Sequence, residues 1–282
     1  MKSAHRVART SLLLSLGSAI RFFEGTASLS DQRAHDARKH LKEARAALRV
    51  LRPELGDSVY RRENRVFRDA SRAISPLRDA KAQVDVLTAI RDRYPYDLPC
   101  AGLAPLENSL RGKLERTRGR VRTSAPVLHR TMQSLKRSRQ RLRSITRKQK
   151  APTVGKGLRR IYAQARKSFA IAKNKPTPVL LHDWRKKTKY LYNAVKALDV
   201  RKRSRSGVVG KRAYRLGSWL GEEHDLVLLS HELRPAANHL SPSVRHALKT
   251  AIDHRRTRLQ KKAFRLGKKV YADRPKKTID RV

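Results

Sequence analysis

Residues 35–49 read HDARKHLKEARAALR and residues 182–196 read HDWRKKTKYLYNAVK, and these two stretches decide the fold. They align without a gap at an offset of 147 residues, with histidine, aspartate, arginine and lysine at matching positions. A second pair, Arg78-Asp79 and His224-Asp225, follows at an offset of 146 residues. Unrelated segments rarely share two matches at nearly one offset, so the chain is predicted to contain two copies of one helical unit.

Helical periodicity extends outward from both stretches over most of the chain. Proline and glycine clusters, such as Pro95 to Gly102 and Pro152 to Gly157, separate the periodic segments. Each copy is long enough for a four-helix bundle. The fold class is therefore predicted as all-α, with a first bundle-like repeat over residues 1–150 and a second over residues 151–282. Helices are predicted over residues 4–24, 31–52, 59–75, 77–93, 103–119, 123–147, 156–174, 178–199, 208–221, 223–238 and 241–270.

The segments between and after these helices also carry predictions. The basic stretch from Arg201 to Lys211 is expected to be a loop, and the tail from Asp273 is expected to fray. Lys2, Arg6 and Arg9 before the leucines at 12–14 resemble a weak targeting signal. The helical spacing of the apolar residues in 12–23 favours a buried structural helix instead.

The composition points to an anionic partner. The 282 residues include 69 Lys and Arg against 23 Asp and Glu, which gives a formal net charge of +46. This excess exceeds what solubility requires and favours nucleic acid, an anionic membrane surface or another polyanion. A hydrophobic content of 39% is still enough for a core, so the chain is not predicted to be a disordered basic tail.

On a helical wheel at about 100° per residue, each repeated stretch divides into two adjacent faces. One face is apolar, as with Leu41, Ala44 and Leu48 of the first copy. The other is a basic stripe, and like charges three or four residues apart destabilise a helix. A polyanion track explains the stripes better than a solvated surface, although a very basic protein fills many exposed positions with Lys and Arg. The stripes contain His35, Arg38, Lys39, Lys42, Arg45 and Arg49, and His182, Arg185, Lys186, Lys189 and Lys196.

A third, weaker stripe lies in residues 156–174. Arg159, Tyr162, Arg166 and Lys173 share one helical face opposite an apolar one. These basic residues either line the same groove as the repeated stripes or are solvated.

Cys100 is the single cysteine, so an intrachain disulfide and a cysteine-based metal site are excluded. A single thiol agrees with a reducing compartment, and no apolar run reaches the roughly 18–20 residues of a spanning helix. The sequence contains no GxxxxGK[ST] loop, no HExxH and no clustered carboxylates for magnesium. No cofactor or metal is expected, and no enzyme activity, although histidine-based chemistry stays open.

The ordered motifs resemble the CHAD family, whose name abbreviates conserved histidine α-helical domain. The resemblance rests on H-x-x-R-K-x-x-K-x-x-R at 35–45, Arg-Asp at 78–79, G-L-R-R-x-Y-x-x-x-R at 157–166 and H-x-W-R-K-x-x-K at 182–189. It implies two four-helix bundles related by pseudo-twofold symmetry, with a basic cavity or pore between them. It also implies binding of inorganic polyphosphate and association with polyphosphate granules. The sequence departs from the pattern at Tyr192, where the first copy has Arg45, and at His224, where the first copy has Arg78.

Noncatalytic polyphosphate binding is therefore the expected function, in the cytoplasm at polyphosphate granules. The alternative is a basic helical protein that binds nucleic acid or the nucleoid nonspecifically, which so high a net charge permits at low salt. Aromatic residues are only 5% of the chain, and no base-stacking platform or zinc-finger spacing is visible. The predicted polyphosphate-binding residues are His35, Arg38, Lys39, Lys42, Arg45, Arg49, Arg78, Arg159, Arg166, His182, Arg185, Lys186, Lys189, Lys196 and His224.

Overall fold

The computed structural model describes residues 4–24, 31–148, 154–198, 204–233 and 240–279. Within these ranges the chain forms twelve α-helices and no strand, which confirms the all-α prediction. The helices are α1 (Ala4–Glu24), α2 (Asp31–Val50), α3 (Arg52–Leu55), α4 (Asp57–Ala73), α5 (Ser75–Arg93), α6 (Cys100–Thr123), α7 (Ala125–Lys148), α8 (Val154–Asn174), α9 (Pro178–Ala197), α10 (Arg205–Glu232), α11 (Pro242–Val270) and α12 (Pro275–Ile279).

Helix α1 buries the face that its apolar spacing predicts. Leu12, Leu16 and Phe23 are fully or almost fully buried, and α1 packs against α2 and α7. Burial of such side chains is the main favourable term in helix packing. The interpretation of this segment as a structural helix of the core is confirmed.

The two repeated stretches form α2 and α9, and their apolar faces are in the core. Leu41 and Leu48 of α2 are fully buried, as are Trp184 and Leu191 of α9. The basic stripes remain outside the core on the adjacent faces, as the wheel predicts.

The helices that carry the repeated motifs are neighbours. Helix α2 packs on α9, α5 packs on α2 and on α10, and α10 packs on α9. Helix α8 comes very close to α2 at Gly157, where an added Cβ would lie 2.0 Å from the carbonyl oxygen of Val50. Buried residues of both halves form one contiguous hydrophobic core. The pseudo-twofold relation and the division at residue 150 stay predictions.

The predicted division into two helices at 208–221 and 223–238 is wrong, because α10 is one continuous helix from Arg205 to Glu232. Its glycine at 221 does not end it, since packing against α9 outweighs the roughly 1 kcal/mol that glycine costs in a helix. The predicted loop at 201–211 is also corrected from Arg205 onward. Ser204 caps α10 by accepting from the backbone N–H of Gly207 at 3.1 Å. Residues 201–203 and 234–238 lie outside the described ranges.

The tail is more ordered than predicted up to Ile279. Helix α12 packs against α8 and α10. Thr278 is buried, and its carbonyl accepts from the hydroxyl of Ser206 at 3.1 Å. These contacts, which join residues far apart in sequence, correct the expectation of a frayed end from Asp273.

No helix in the described part of the chain is both long and apolar enough to cross a bilayer.

Candidate polyanion-binding site

Helices α2, α5, α9 and α10 enclose two cavities of about 790 Å³ and 310 Å³ that share part of their walls. Five basic residues line both cavities, and we call them the central cluster. They are Arg38 and Lys42 of α2, Arg78 of α5, and Arg185 and Lys189 of α9.

Helical spacing explains how the cluster forms. Arg38 and Lys42 are four residues apart on α2, as are Arg185 and Lys189 on α9, so each pair projects from one face of its helix. Because α2 packs directly on α9, the two pairs meet. Helix α5 adds Arg78 from the side that contacts both α2 and α10.

Hydrogen bonds fix two of the arginines. Nη1 of Arg38 donates to the carbonyl oxygen of Ser71 at 3.2 Å and also contacts the hydroxyl of Ser75, the first residue of α5. Arg78 lies 3.6 Å from the carboxylate of Asp79 and 3.8 Å from that of Asp225. These two carboxylates leave the five cations of the central cluster with an excess of positive charge.

Three buried nitrogens at the site have no hydrogen-bond partner among the described residues. They are Nε of Arg38, Nε of Arg185 and Nδ1 of His182. A buried donor without a partner costs about 1–3 kcal/mol. A bound anion would accept from the two guanidinium nitrogens, and from the imidazole when its proton is on Nδ1.

The lysines of the central cluster have strongly lowered pKa values. Burial, followed by the charges of Arg185 and Lys42, lowers the pKa of Lys189 from 10.5 to about 7. Burial and the charges of Arg38 and Arg78 lower the pKa of Lys42 to about 8. Lys42 is nevertheless exposed on the cavity surface, whereas Lys189 is half-buried. Solvent therefore weakens the effect of burial more at Lys42 than at Lys189.

The repeated histidines lie in different cavities. His35 is exposed and lines the larger one. His182 and His224 line the smaller one, with ring centroids 4.3 Å apart. Burial, followed by the charge of Arg185, lowers the pKa of His182, and the same causes together with His182 lower the pKa of His224 to about 4. Both rings are therefore neutral at pH 7 without a ligand, and a nearby anion would favour their protonation.

The family model of the CHAD domain matches residues 22–234, a range that contains the whole central cluster and all three histidines. The chain belongs to the CHAD domain family. The resemblance predicted from the repeated motifs is thereby confirmed. No match to the chain is found among the curated proteins.

In this CHAD domain, two further predicted arginines line the smaller cavity, and each already makes a contact within the protein. Nε of Arg45 donates to the side-chain oxygen of Asn64 at 3.1 Å. The guanidinium of Arg49 lies 3.6 Å from the ring centroid of Tyr190, which is a cation–π contact. Both arginines keep other N–H donors that can reach an anion in the cavity.

The predicted lysines at the cavity edges differ in their availability. Lys39 is exposed and lines the larger cavity. Nζ of Lys186 is 2.7 Å from the carboxylate of Asp183 one turn earlier. Nζ of Lys196 is 2.5 Å from the carboxylate of Glu43 on α2. Burial, the largest single cause, would raise the pKa of Glu43, but the hydrogen bonds and charges of Lys196 and His40 together lower it.

Arg159 and Arg166 line neither of these cavities. Nε of Arg166 donates to the carbonyl oxygen of Tyr271 at 3.1 Å. On the same face, the buried hydroxyl of Tyr162 lies 3.0 Å from the carbonyl oxygens of Val270 and Asp273. This part of α8 thus holds the chain between α11 and α12. Polyphosphate binding by Arg159 and Arg166 stays a prediction.

Two glycines of α10 that were not predicted from the sequence shape the site. An added Cβ at Gly217 would lie 3.4 Å from the Lys189 side chain, and one at Gly221 would lie 3.7 Å from Nε of Arg185. Both glycines line the larger cavity. Their spacing of four residues on one helical face, opposite a basic stripe, is the signal that could have identified them.

Within the described ranges, no group of three or more histidine, cysteine, aspartate or glutamate side chains is placed to hold a metal ion.

Proposed function

We propose that this CHAD domain binds inorganic polyphosphate without catalysis, with the phosphates held at the central cluster. The observation that carries the proposal is the convergence of five cations from three helices, with buried guanidinium nitrogens that lack a partner among the described residues. Such a cluster opposes folding unless an anion compensates it, because like charges in a partly desolvated site repel.

A linear phosphate chain suits this geometry. Each of the two cavities is lined by all five residues of the central cluster, so a phosphate chain in either cavity would lie beside all of them. Polyphosphate needs charge and N–H donors at regular intervals, and arginine and lysine supply both. The histidines of the smaller cavity add donors once the bound phosphates raise their pKa.

The carboxylates nearest the cluster support a binding role rather than hydrolysis. Asp79 and Asp225 both lie within ion-pair distance of Arg78. Held in this way, they act as counter-charges that position the arginine rather than as a general base. Prolonged incubation with the protein should leave the length distribution of polyphosphate unchanged on a gel.

The same binding would bring the protein to cytoplasmic polyphosphate granules, where we expect it to act. A fluorescent fusion of the chain should co-localise with granules stained for polyphosphate. The fusion should become diffuse when the central cluster is neutralised.

Charge reversal tests the proposed site. The variant R38E/K42E/R185E/K189E should lose more than about tenfold in polyphosphate affinity at physiological salt. A milder variant, K42M/K189M, keeps the aliphatic stems and tests the same site if the fourfold variant loses helicity by circular dichroism.

The matched control reverses four exposed cations of α11 at the same net-charge cost. These side chains are exposed and line neither of the two cavities at the central cluster: Arg258, Lys261, Lys262 and Arg265. The control should change the affinity less than about threefold. Equal losses in both variants would show that only the net charge acts, which would favour nonspecific binding of nucleic acid.

A further inference from the structure

The two ends of the site differ in chemistry. Arg45, Arg49 and the two paired histidines line the smaller cavity. The larger cavity adjoins a third cavity of about 810 Å³, and Tyr192, Lys196, Tyr214 and Ser218 line both. The smaller cavity is therefore lined by further cations and histidines, whereas the larger cavity shares two tyrosines with the third cavity.

Tyr192 departs from the repeat at this end. It occupies the position that Arg45 has in the first copy, so an aromatic ring replaces a guanidinium. Its ring centroid is 5.0 Å from that of Tyr214, with an angle of 49° between the planes. Tyr214 is 58% exposed, so its ring is available for contact with a ligand and is not a core residue.

The third cavity has both apolar and basic lining residues. Val195, Val208 and Leu266 provide apolar walls from α9, α10 and α11. Lys211, Arg212 and Arg215 are also among its lining residues. Its volume is in the range of about 300–1,000 Å³ found for small-molecule sites.

We propose that this end of the site accepts the base of a nucleoside 5′-polyphosphate, such as ATP. The phosphates would occupy the larger cavity at the central cluster, and the base would lie against Tyr214 in the third cavity. Inorganic polyphosphate offers nothing for an aromatic ring to stack on, whereas every nucleobase has a π face. Stacking tolerates different bases, so adenine and guanine nucleotides should bind similarly. The inference rests on the proposed function for its phosphate-binding half only.

Calorimetric titration with ATP and with inorganic tripolyphosphate, in metal-free buffer, tests the proposal. Tripolyphosphate carries no less negative charge than ATP, so electrostatics alone predicts that ATP binds no more tightly. A stacked base should make ATP bind about fivefold more tightly or better. Tyr214→Ala should remove this advantage and leave the tripolyphosphate affinity unchanged, whereas Tyr214→Trp should retain it.

Tyr96 supplies the matched control. It is 99% exposed and lines none of the three cavities, so Tyr96→Ala should leave both affinities unchanged. Equal or weaker binding of ATP than of tripolyphosphate would overturn this inference and leave polyphosphate binding intact. An equal loss of both ligands in Tyr214→Ala would also overturn it. Binding of neither ligand to the wild type would reject the proposed function and this inference together.

Discussion

Replacing Lys189 with methionine should stabilise the folded protein in the absence of polyphosphate. The pKa of Lys189 is lowered from 10.5 to about 7, because folding places its ammonium group in a buried site beside Arg185 and Lys42. Methionine keeps most of the aliphatic stem but carries no charge. The variant therefore removes the cost of folding around this cation while it leaves the packing largely unchanged.

The pH dependence of the effect follows from the same pKa. Between about pH 7 and pH 10.5 the unfolded chain holds a proton on Lys189 that the folded chain does not. The free energy of unfolding therefore rises with pH over this window. The destabilisation by the charge of Lys189 is complete below about pH 7 and absent above about pH 10.5. Lys42 contributes in the same direction between about pH 8 and pH 10.5.

The expected magnitude is modest. At about 1.4 kcal/mol per pKa unit, the lowering of the Lys189 pKa corresponds to about 5 kcal/mol for an isolated and fully desolvated group. The cavity admits solvent, which screens the charge, and part of the cost belongs to Arg185 and Lys42. We therefore expect Lys189→Met to raise the free energy of unfolding by about 1–2 kcal/mol at pH 6.

Urea unfolding followed by circular dichroism at pH 6, 8 and 9.5 measures this difference. The gap between Lys189→Met and the wild type should narrow as the pH rises. Lys261→Met on the exposed face of α11 is the control and should stay within about 0.5 kcal/mol at every pH. A variant less stable than the wild type at pH 6, or a stability difference that does not depend on pH, would show that the charge of Lys189 does not destabilise the fold. Saturating polyphosphate should reverse the order, because it stabilises only the protein that binds it tightly.

Two further predictions concern the histidines and the core. Binding of polyphosphate should tighten as the pH falls from about 8 to about 5, because the ligand raises the lowered pKa values of Lys189, His182 and His224 and protons are taken up. In the variant H182Q/H224Q, the polyphosphate affinity should still increase as the pH falls from about 8 to about 7. Calorimetry should show that the further increase in affinity below about pH 6.5 is lost. Glu63 is fully buried, and Arg141 donates to it at 2.9 and 3.0 Å, so Glu63→Gln should cost about 3–5 kcal/mol in urea unfolding and leave the polyphosphate affinity unchanged. Burial, the largest single cause, would raise the pKa of Glu63, but the hydrogen bonds from Arg141, Ser138 and Arg62 together with the charge of Arg141 lower it. The stabilisation by Glu63 is therefore present above about pH 4.5 and declines as the pH falls through its lowered pKa.

The fold class and the helices of the site were predictable because their signals are local. Apolar spacing identified α2 and α9 and their buried faces, and the repeat offset connected them with Arg78 and His224. Thirteen of the fifteen predicted binding residues line the two cavities at the central cluster. Helical spacing had already placed most of them on the faces next to the core.

The failures have tertiary causes. The ion pair between Lys196 and Glu43 joins residues 153 positions apart, and no local pattern indicates it. Arg166 has the spacing of a stripe residue, but its Nε donates to the carbonyl oxygen of Tyr271, the residue directly after α11. Gly221 carries the sequence signal of a helix end, yet close packing against α9 keeps α10 continuous there.

Competition between polyphosphate and DNA of equal total charge, at physiological salt, tests the central claim most directly. If the phosphates bind inside the cavities at the central cluster, polyphosphate should bind at least about tenfold more tightly, since a duplex is too wide to enter them. The variant R38E/K42E/R185E/K189E should then lose that preference. Equal or tighter binding of DNA by the wild type would show that the net charge of +46, rather than a built site, determines what the protein binds.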